Sequence, residues 1–208
     1  MNGMHRKRQR GFSMIELLVV TLIALIIAAM AVPGFQNIER YLRIAGDSRN
    51  LFSITAQAKM KAAAQFTHAR ARVGLASNMY GLEIWDKGST ACPSGCWSVI
   101  GGPQPLSQGV TPGFGTVTNP PLNTQATLAQ APLCLTTAPG STSPATTPND
   151  VCIEFNSRGI PVDNTGTPVG NGAFYVTDGN SVYGVTVSVS GLIQSWYINL
   201  HDTTWQRR

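Results

Sequence analysis

The longest apolar stretch of the chain runs from Phe12 to Val32 and contains only three polar residues, Ser13, Glu16 and Thr21. A helix that crosses a bilayer needs about 20 predominantly apolar residues, so this pattern predicts a transmembrane helix. A carboxylate inside such a span costs roughly 2–3 kcal/mol or more on insertion scales, which makes Glu16 a candidate functional residue. Pro33 follows directly. Because proline removes one helical hydrogen bond, it predicts a kink rather than the end of the helix.

An amphipathic pattern continues the helix to about Val73, over the segment 36–73, with apolar residues at i, i+3 and i+4 spacing. A helix from Phe12 to Arg72 would be about 90 Å long at 1.5 Å per residue, more than a small domain can bury. Its first half is therefore expected in a membrane or against partner helices, and its second half on a globular domain. The predicted apolar face contains Ile38, Leu42, Ala45, Phe52, Ala56, Ala63, Phe66 and Ala69, and the basic face Arg40, Arg43, Arg49, Lys59, Lys61, Arg70 and Arg72.

From Gly74 onward the composition shifts to Gly, Pro, Thr, Ser and Asn, with β-branched and aromatic runs between them. This pattern predicts short strands separated by turns. The segments 101–132 and 137–149 are rich in Pro, Gly, Ser and Thr and are predicted as loops. Strands are predicted at Tyr80–Trp85, Trp97–Ile100, Val151–Asn156, Ala173–Thr177, Val182–Ser188 and Leu192–Ile198.

Short turns at 178–180 and 190–191 separate the last three predicted strands, which are therefore expected to be antiparallel neighbours. The chain as a whole predicts an α+β fold, with a long N-terminal helix packed on an antiparallel β-sheet domain. The predicted boundaries are a leader at 1–11, a transmembrane or assembly helix at 12–35, its amphipathic continuation at 36–73 and a β-rich domain at 74–208.

The formal net charge of +5 raises the question of an anionic partner. Four of the fifteen Lys and Arg residues, Arg6, Lys7, Arg8 and Arg10, precede the apolar run. Without residues 1–11, eleven basic and ten acidic side chains remain, a net charge of +1. The basic leader is therefore interpreted as a positive-inside signal that keeps this end in the cytoplasm.

Four cysteines, Cys92, Cys96, Cys134 and Cys152, follow the membrane segment. An even number of cysteines in an exported domain favours disulfides over reactive thiols. Of the three possible pairings we favour the two local bridges, one closing the tight turn 92–96 and one joining two short strands at Cys134 and Cys152. A zinc site is the alternative, although the spacings do not match two C-x2–4-C pairs.

An ordinary secretory signal peptide is the main alternative to a retained N-terminal helix, because Ala29-Met30-Ala31 resembles an A-x-A cleavage site. Two features oppose it. Glu16 interrupts the apolar region early, and that region is longer than the 7–15 residues typical of a signal peptide.

No catalytic, metal-binding or cofactor-binding motif is found in the sequence, so an enzyme is not expected. The three histidines, His5, His68 and His201, have no cysteine or carboxylate at ligand spacing. Asp150 and Glu154 could form a pair, but they are interpreted as solvated residues at a strand end.

Basic residues at the C-terminus could contact an anion. The basic helix face is expected to be a solvated surface, and lipid headgroups, acidic neighbours or DNA are its alternative partners. Arg207 and Arg208 could make weak contacts to an anion or to DNA, in a terminus otherwise expected to be disordered. Trp196, Tyr197 and Trp205 could stack on a base but are expected in or beside a sheet.

The segment Gly11 to Val20, GFSMIELLVV, resembles the class III signal of type IV pilins and type II secretion pseudopilins. The resemblance implies that prepilin peptidase cleaves between Gly11 and Phe12 and that the new N-terminus, Phe12, is methylated. It also implies that Glu16 acts in assembly with other pilin or pseudopilin subunits, and it places Pro33 where such helices commonly carry a proline. The protein would be a single-pass inner-membrane protein with a periplasmic C-terminal domain before it enters a filament.

Two later segments narrow the resemblance to the GspH/FimT family of minor pilins and pseudopilins. Residues 153–161, IEFNSRGIP, look like its F-x-S-R-G-x-P turn, and 183–191, YGVTVSVSG, like its late strand. The implied function is a minor pilin with a structural role in the assembly or initiation of a type IV pilus. A type II secretion minor pseudopilin of GspH type and a DNA-binding competence pilin are the alternatives. DNA-linked members carry G-R-x-R, but this chain has Gly191-Leu192-Ile193-Gln194, so DNA is not expected to bind at that turn.

Overall fold

The computed structural model describes residues 13–90, 92–141 and 143–208, without the side chains of residues 32–34, 36 and 37. Two compact units are present, Met1–Tyr41 and Leu42–Arg208. The described residues form one α-helix, α1, and eleven β-strands, β1 to β11. The α+β class predicted from the sequence is confirmed.

Helix α1 extends over Met14–Ala64 and begins where the Ser13 carbonyl accepts hydrogen bonds from the amides of Glu16 and Leu17 at 3.0 and 3.1 Å. In the first unit, the eighteen residues Met14–Ala31 are long and apolar enough to cross a membrane, and none of them is buried. The backbone stays helical through residue 33, as predicted.

In the second unit, one face of α1 is buried in the main core, and among the helix residues of the predicted apolar face only Ala45 is buried there. Leu42, Phe52 and Phe66 are exposed instead. Small residues on the buried face let the helix lie close to the sheets. The aromatic side chains of the predicted face are exposed instead. The buried helix residues are Ile44, Ala45, Asp47, Ser48, Leu51, Thr55, Ala58 and Ala62.

The predicted C-terminal end of the helix, at about Val73, is wrong. Helix α1 ends at Ala64, where the Thr67 amide bonds to the Ala62 carbonyl and the Phe66 amide to the Ala63 carbonyl. This is a Schellman cap, with Phe66 in the left-handed position at φ 50°. That position is usually glycine, so the sequence carried no stop signal.

The first sheet has the order β3-β2-β1-β6-β5, with β7 also paired to β6, and all its pairs are antiparallel. Ala69, Ala71 and Val73 of β1 are directed into the core, while the alternate residues Arg70 and Arg72 lie on the other face. The strands are β1 Ala69–Gly74, β2 Met79–Asp86, β3 Cys96–Pro105, β5 Leu133–Leu135, β6 Thr146–Phe155 and β7 Pro161–Val162.

The second sheet has the order β11-β10-β9-β8-β4 and is also antiparallel. The predicted turns at 178–180 and 190–191 join β8 to β9 and β9 to β10. Its strands are β4 Thr111–Pro112, β8 Gly172–Thr177, β9 Ser181–Val187, β10 Ile193–Asn199 and β11 Gln206–Arg207.

Two of the predicted loops contain strand residues. Strand β3 continues to Pro105 and β4 occupies Thr111–Pro112, both inside the predicted loop 101–132. Strand β6 starts at Thr146, inside the predicted loop 137–149. Its first residues are polar and mostly exposed, so they lack the apolar alternation that marks a strand in the sequence.

The buried residues form two cores in the second unit. The main core joins α1 to the inner faces of both sheets. The second core lies on the other side of the second sheet, where Ala173, Tyr175, Val182 and Ile198 are covered by side chains from the 114–128 segment and the C-terminus. The 114–128 part of the predicted loop 101–132 therefore covers the second sheet.

Candidate functional site

The predicted processing site, Gly11 and Phe12, lies outside the described residues. Glu16 is in the first turn of α1 and is exposed, next to the exposed apolar side chains of Ile15 and Leu17. A carboxylate favours the N-terminal turn because it complements the helix dipole. An exposed carboxylate on an apolar helix is also available to pair with a cation from another chain. Of Pro33 only the backbone, within α1, is among the described atoms.

The F-x-S-R-G-x-P segment forms a tight turn between β6 and β7. The Asn156 Oδ1 atom accepts hydrogen bonds from the amides of Arg158 and Ile160, at 2.9 and 3.1 Å. Gly159 has φ +71°, a left-handed conformation that favours glycine. Asn156, at a variable position of the motif, and the motif glycine Gly159 therefore specify the shape of this turn.

Lys59 on α1 joins this turn to the turn after the late strand. Its Nζ atom donates to the Gly191 carbonyl at 2.9 Å. A Cβ atom on Gly159 would lie 3.2 Å from Lys59 Cγ, and one on Gly191 would lie 2.9 Å from the Gly159 carbonyl oxygen. Gly159 and Gly191, the glycines of the two segments that resemble the GspH/FimT family, therefore both lie beside Lys59. Lys59 was predicted on a solvated basic face, and no signal in the sequence indicates its contact with the Gly191 carbonyl.

The turn at 191–194 presents a mainly apolar surface. Leu192 and the preceding Val189 are exposed, and neither carries a charge. The Lys59 amine beside the turn is engaged by the Gly191 carbonyl. Phosphate recognition depends on several basic groups, which these turn residues do not supply.

An ionic cluster covers the outer face of the first sheet. Arg70 donates through Nε to Glu83 Oε2 at 2.6 Å, while Arg72 reaches Glu83 Oε1 at 2.7 Å and Asp150 Oδ2 at 2.6 Å. Burial lowers the pKa of Arg70, although the Glu83 carboxylate opposes this. Burial also opposes the charge on Arg72, but hydrogen bonds and charges from Glu83 and Asp150 raise its pKa. Both arginines are cations at neutral pH, because a guanidinium group is not deprotonated in proteins.

The ionic cluster corrects two predictions. Arg70 and Arg72 belong to a strand and not to the basic face of a helix. Asp150 and Glu154 are buried and are not solvated. The strand alternation of Ala69 to Val73 places the arginines opposite the acidic residues of β2 and β6.

A histidine and a carboxylate pair at one side of the ionic cluster. The His68 Nδ1 atom lies 2.7 Å from Glu154 Oε1. The two residues are 86 positions apart in the chain, so sequence spacing could not reveal the pair. Within residues 13–90, 92–141 and 143–208, no group of three or more His, Cys, Asp and Glu side chains could hold a metal ion.

The cysteines form the two local bridges, Cys92–Cys96 and Cys134–Cys152. The first closes the hairpin between β2 and β3. The second joins β5 to β6, and both of its cysteines are buried. Bridges of this kind fit a domain that folds in an oxidising compartment.

The C-terminus is paired with the sheet, contrary to the expectation of disorder. Arg207 on β11 pairs with Trp196 on β10, and the Arg208 amide donates to the Ser195 carbonyl at 2.9 Å. The Arg208 guanidinium carbon lies 5.0 Å from the centroid of the Tyr197 ring. Both arginine side chains are exposed at this edge, and Trp205 packs against the second core.

A family model described as the prokaryotic N-terminal methylation motif matches residues 6–32. Comparison with curated proteins gives no match, and comparison with solved structures gives none either. The matched residues include Gly11, Phe12 and Glu16, and they run into the apolar part of α1. The motif supports a type IV pilin-type or pseudopilin-type subunit that prepilin peptidase processes and that assembles with other pilins. It also suggests that the apolar helix anchors the protein in a membrane.

Proposed function

We propose that this protein is a minor pilin, a structural subunit that acts in the assembly or initiation of a type IV pilus. The observation that carries the proposal is the methylation motif at residues 6–32, which contains the unburied apolar segment Met14–Ala31 of membrane-spanning length. The second unit has its own cores and two disulfides, as expected of a subunit head outside the membrane.

Glu16 would guide assembly through its charge. When apolar helices associate, the new N-terminal amine of Phe12 leaves water together with its helix. An ion pair with a neighbour's Glu16 would offset that desolvation, whereas a shifted register would leave a buried charge unpaired. The carboxylate would therefore select one axial register between adjacent helices.

Before assembly the protein would be a single-pass protein of the inner membrane. The cluster of basic residues ahead of the apolar run favours a cytoplasmic N-terminus, so the β-rich domain would be periplasmic. The Cys92–Cys96 and Cys134–Cys152 bridges are compatible with that compartment.

Membership of the GspH/FimT family is part of the proposal. Support comes from the proximity of the two segments that resemble this family: Lys59 donates to the Gly191 carbonyl, and its stem lies 3.2 Å from where a Cβ on Gly159 would be. A GspH-type pseudopilin would share this head. A DNA-binding pilin is less favoured, because the turn that carries arginines in such proteins is apolar here.

The N-terminus of the mature protein tests the proposal. Mass spectrometry of the protein from its native membrane should show a chain that starts with N-methylated Phe12. A chain that starts at Val32 would show an ordinary signal peptide and would overturn the assignment. Deletion of the gene should then reduce surface pili and leave type II secretion intact; the opposite result would identify a pseudopilin.

A further inference from the structure

Arg70 and Arg72 on β1 share one carboxylate but differ in what lies over their guanidinium groups. Both donate to Glu83, at 2.6 and 2.7 Å. The Trp97 ring covers Arg70, with its centroid 3.9 Å from the guanidinium carbon. Among the residues that the structure describes, no ring occupies the corresponding place over Arg72. The side chain of Arg72 is 38% exposed, against 5% for Arg70.

A cleft of about 230 Å³ opens beside Arg72 on the outer face of the first sheet. Gly81 lies opposite Arg72 in the β1–β2 pair and leaves room there, because it has no side chain. Met79, Val99 and Pro103 supply apolar walls. Pockets for drug-sized ligands have about 300–1,000 Å³, so this cleft suits a single side chain better than a large ligand.

The charges around the cleft favour a neutral occupant. The terminal nitrogens of Arg72 already donate to Glu83 and Asp150, at 2.7 and 2.6 Å. Together with Arg70, these groups form a cluster of two cations and two anions with no net charge. Besides its remaining N–H groups, Arg72 offers the planar face of its guanidinium group, which attracts the face of an aromatic ring.

We propose that the cleft between Arg72 and Val99 binds an aromatic side chain of a partner protein. The ring covers the Arg72 guanidinium as Trp97 covers that of Arg70, and it packs against Met79, Val99 and Pro103. The contact does not depend on the assignment as a pilin, and it forms part of a larger interface. The partner is recognised by an exposed, uncharged aromatic residue.

A fluorinated, capped amino acid tests this binding directly. N-acetyl-4-fluorophenylalanine amide is titrated into the full-length protein in detergent micelles, and the width of its ¹⁹F resonance is followed against empty micelles. We expect saturable broadening with the wild-type protein. Gly81→Leu should abolish it, because its side chain fills the cleft. The nearest atom to a Cβ at this position, Pro103 Cα, is 3.7 Å away.

Two further variants distinguish binding to the Arg72 guanidinium from the general effect of adding a leucine to the protein. Gly46→Leu is the matched control, since a Cβ there meets no atom within 4 Å, and it should bind as the wild type does. Arg72→Lys keeps the charge but loses the planar face, so affinity should fall at least about fivefold. Equal broadening with the wild type and Gly81→Leu would overturn the proposal.

Competition experiments identify the class of occupant. Capped phenylalanine should displace the probe at least about fivefold better than capped cyclohexylalanine, which has the shape without the π-system. Equal competition by the two, or displacement by inorganic phosphate, would contradict an aromatic site. Tighter binding of 4-fluorobenzyl alcohol than of the capped probe would assign the cleft to a small aromatic ligand and would also overturn the proposal.

Discussion

The Nζ atom of Lys59 lies 2.9 Å from the carbonyl oxygen of Gly191 and fastens α1 to the turn between β9 and β10. The stem of the same side chain covers Gly159. We expect the Met side chain in Lys59→Met to cover Gly159 as the lysine stem does, but to lose the hydrogen bond to the Gly191 carbonyl. Because hydrogen bonds to charged groups contribute about 1.5–3 kcal/mol, the free energy of unfolding should fall by about 1–2 kcal/mol for this partly exposed group. Urea unfolding followed by tryptophan fluorescence measures it.

Lys61→Met is the matched control for the Lys59 substitution. Lys61 lies two residues further along α1 and is exposed. Its replacement should change the free energy of unfolding by no more than about 0.5 kcal/mol. Equal losses in the two variants would contradict the role assigned to Lys59.

Glu83 is the shared anion of the ionic cluster, and we expect its neutralisation to be strongly destabilising. Glu83→Gln keeps the shape but removes the carboxylate that pairs with the buried Arg70. Breaking a buried ion pair by removing one partner costs about 3–5 kcal/mol. Urea unfolding of this variant should show a loss in that range. Asp202→Asn, an exposed acid near the C-terminus, should lose less than about 0.5 kcal/mol.

Asp47 makes stability depend on pH in the direction opposite to that of a salt-bridged carboxylate. Burial raises the pKa of Asp47, although hydrogen bonds from the Ser107 amide and hydroxyl, at 2.9 and 3.1 Å, oppose the shift. A raised pKa means that the folded state favours the protonated form. The resulting stabilisation is therefore complete below the ordinary pKa of 3.8 and is lost as the pH rises through the elevated value.

The variant Asp47→Asn isolates this effect. The amide keeps an acceptor for the Ser107 amide and cannot ionise. Melting temperatures of the two proteins should diverge in favour of Asn as the pH is raised from about 4 to 7. A constant difference across that range, or one that changes in the other direction, would show that Asp47 ionises without cost.

The apolar run and the strand alternation were sufficient to predict the α+β class and six of the seven described strands that have six or more residues; β1 was missed. Those signals are local. A run of about 20 apolar residues, or an alternation of apolar and polar residues along a strand, can be recognised without knowing the tertiary structure. The end of α1 was missed because Phe66 occupies a left-handed position where glycine is the usual signal. The Thr67 hydroxyl, next to Phe66, donates to the Trp85 carbonyl at 2.9 Å and ties this end of the helix to β2.

The long-range side-chain contacts could not be predicted from spacing. Arg72 and Asp150 are 78 positions apart, and Lys59 and Gly191 are 132 apart. An arginine or a lysine in a helix-compatible segment is indistinguishable from a solvated surface residue until the strand order is known. A usable signal was present in Ala69 to Gly74, where small apolar residues alternate with arginine at the period of a strand.

Glu16 provides the sharpest test of the assembly mechanism. Glu16→Ala should insert into the inner membrane at wild-type levels, because it removes a group whose insertion costs roughly 2–3 kcal/mol. It should be absent from sheared filaments, since the neighbour's N-terminal amine would be buried without a partner. Thr21→Ala is the control; the Thr21 hydroxyl bonds to the Leu18 carbonyl of its own helix, at 2.9 Å, so its loss leaves the proposed intersubunit pair intact. Immunoblots of membrane and filament fractions decide the matter, and normal filament levels of Glu16→Ala would exclude the register mechanism.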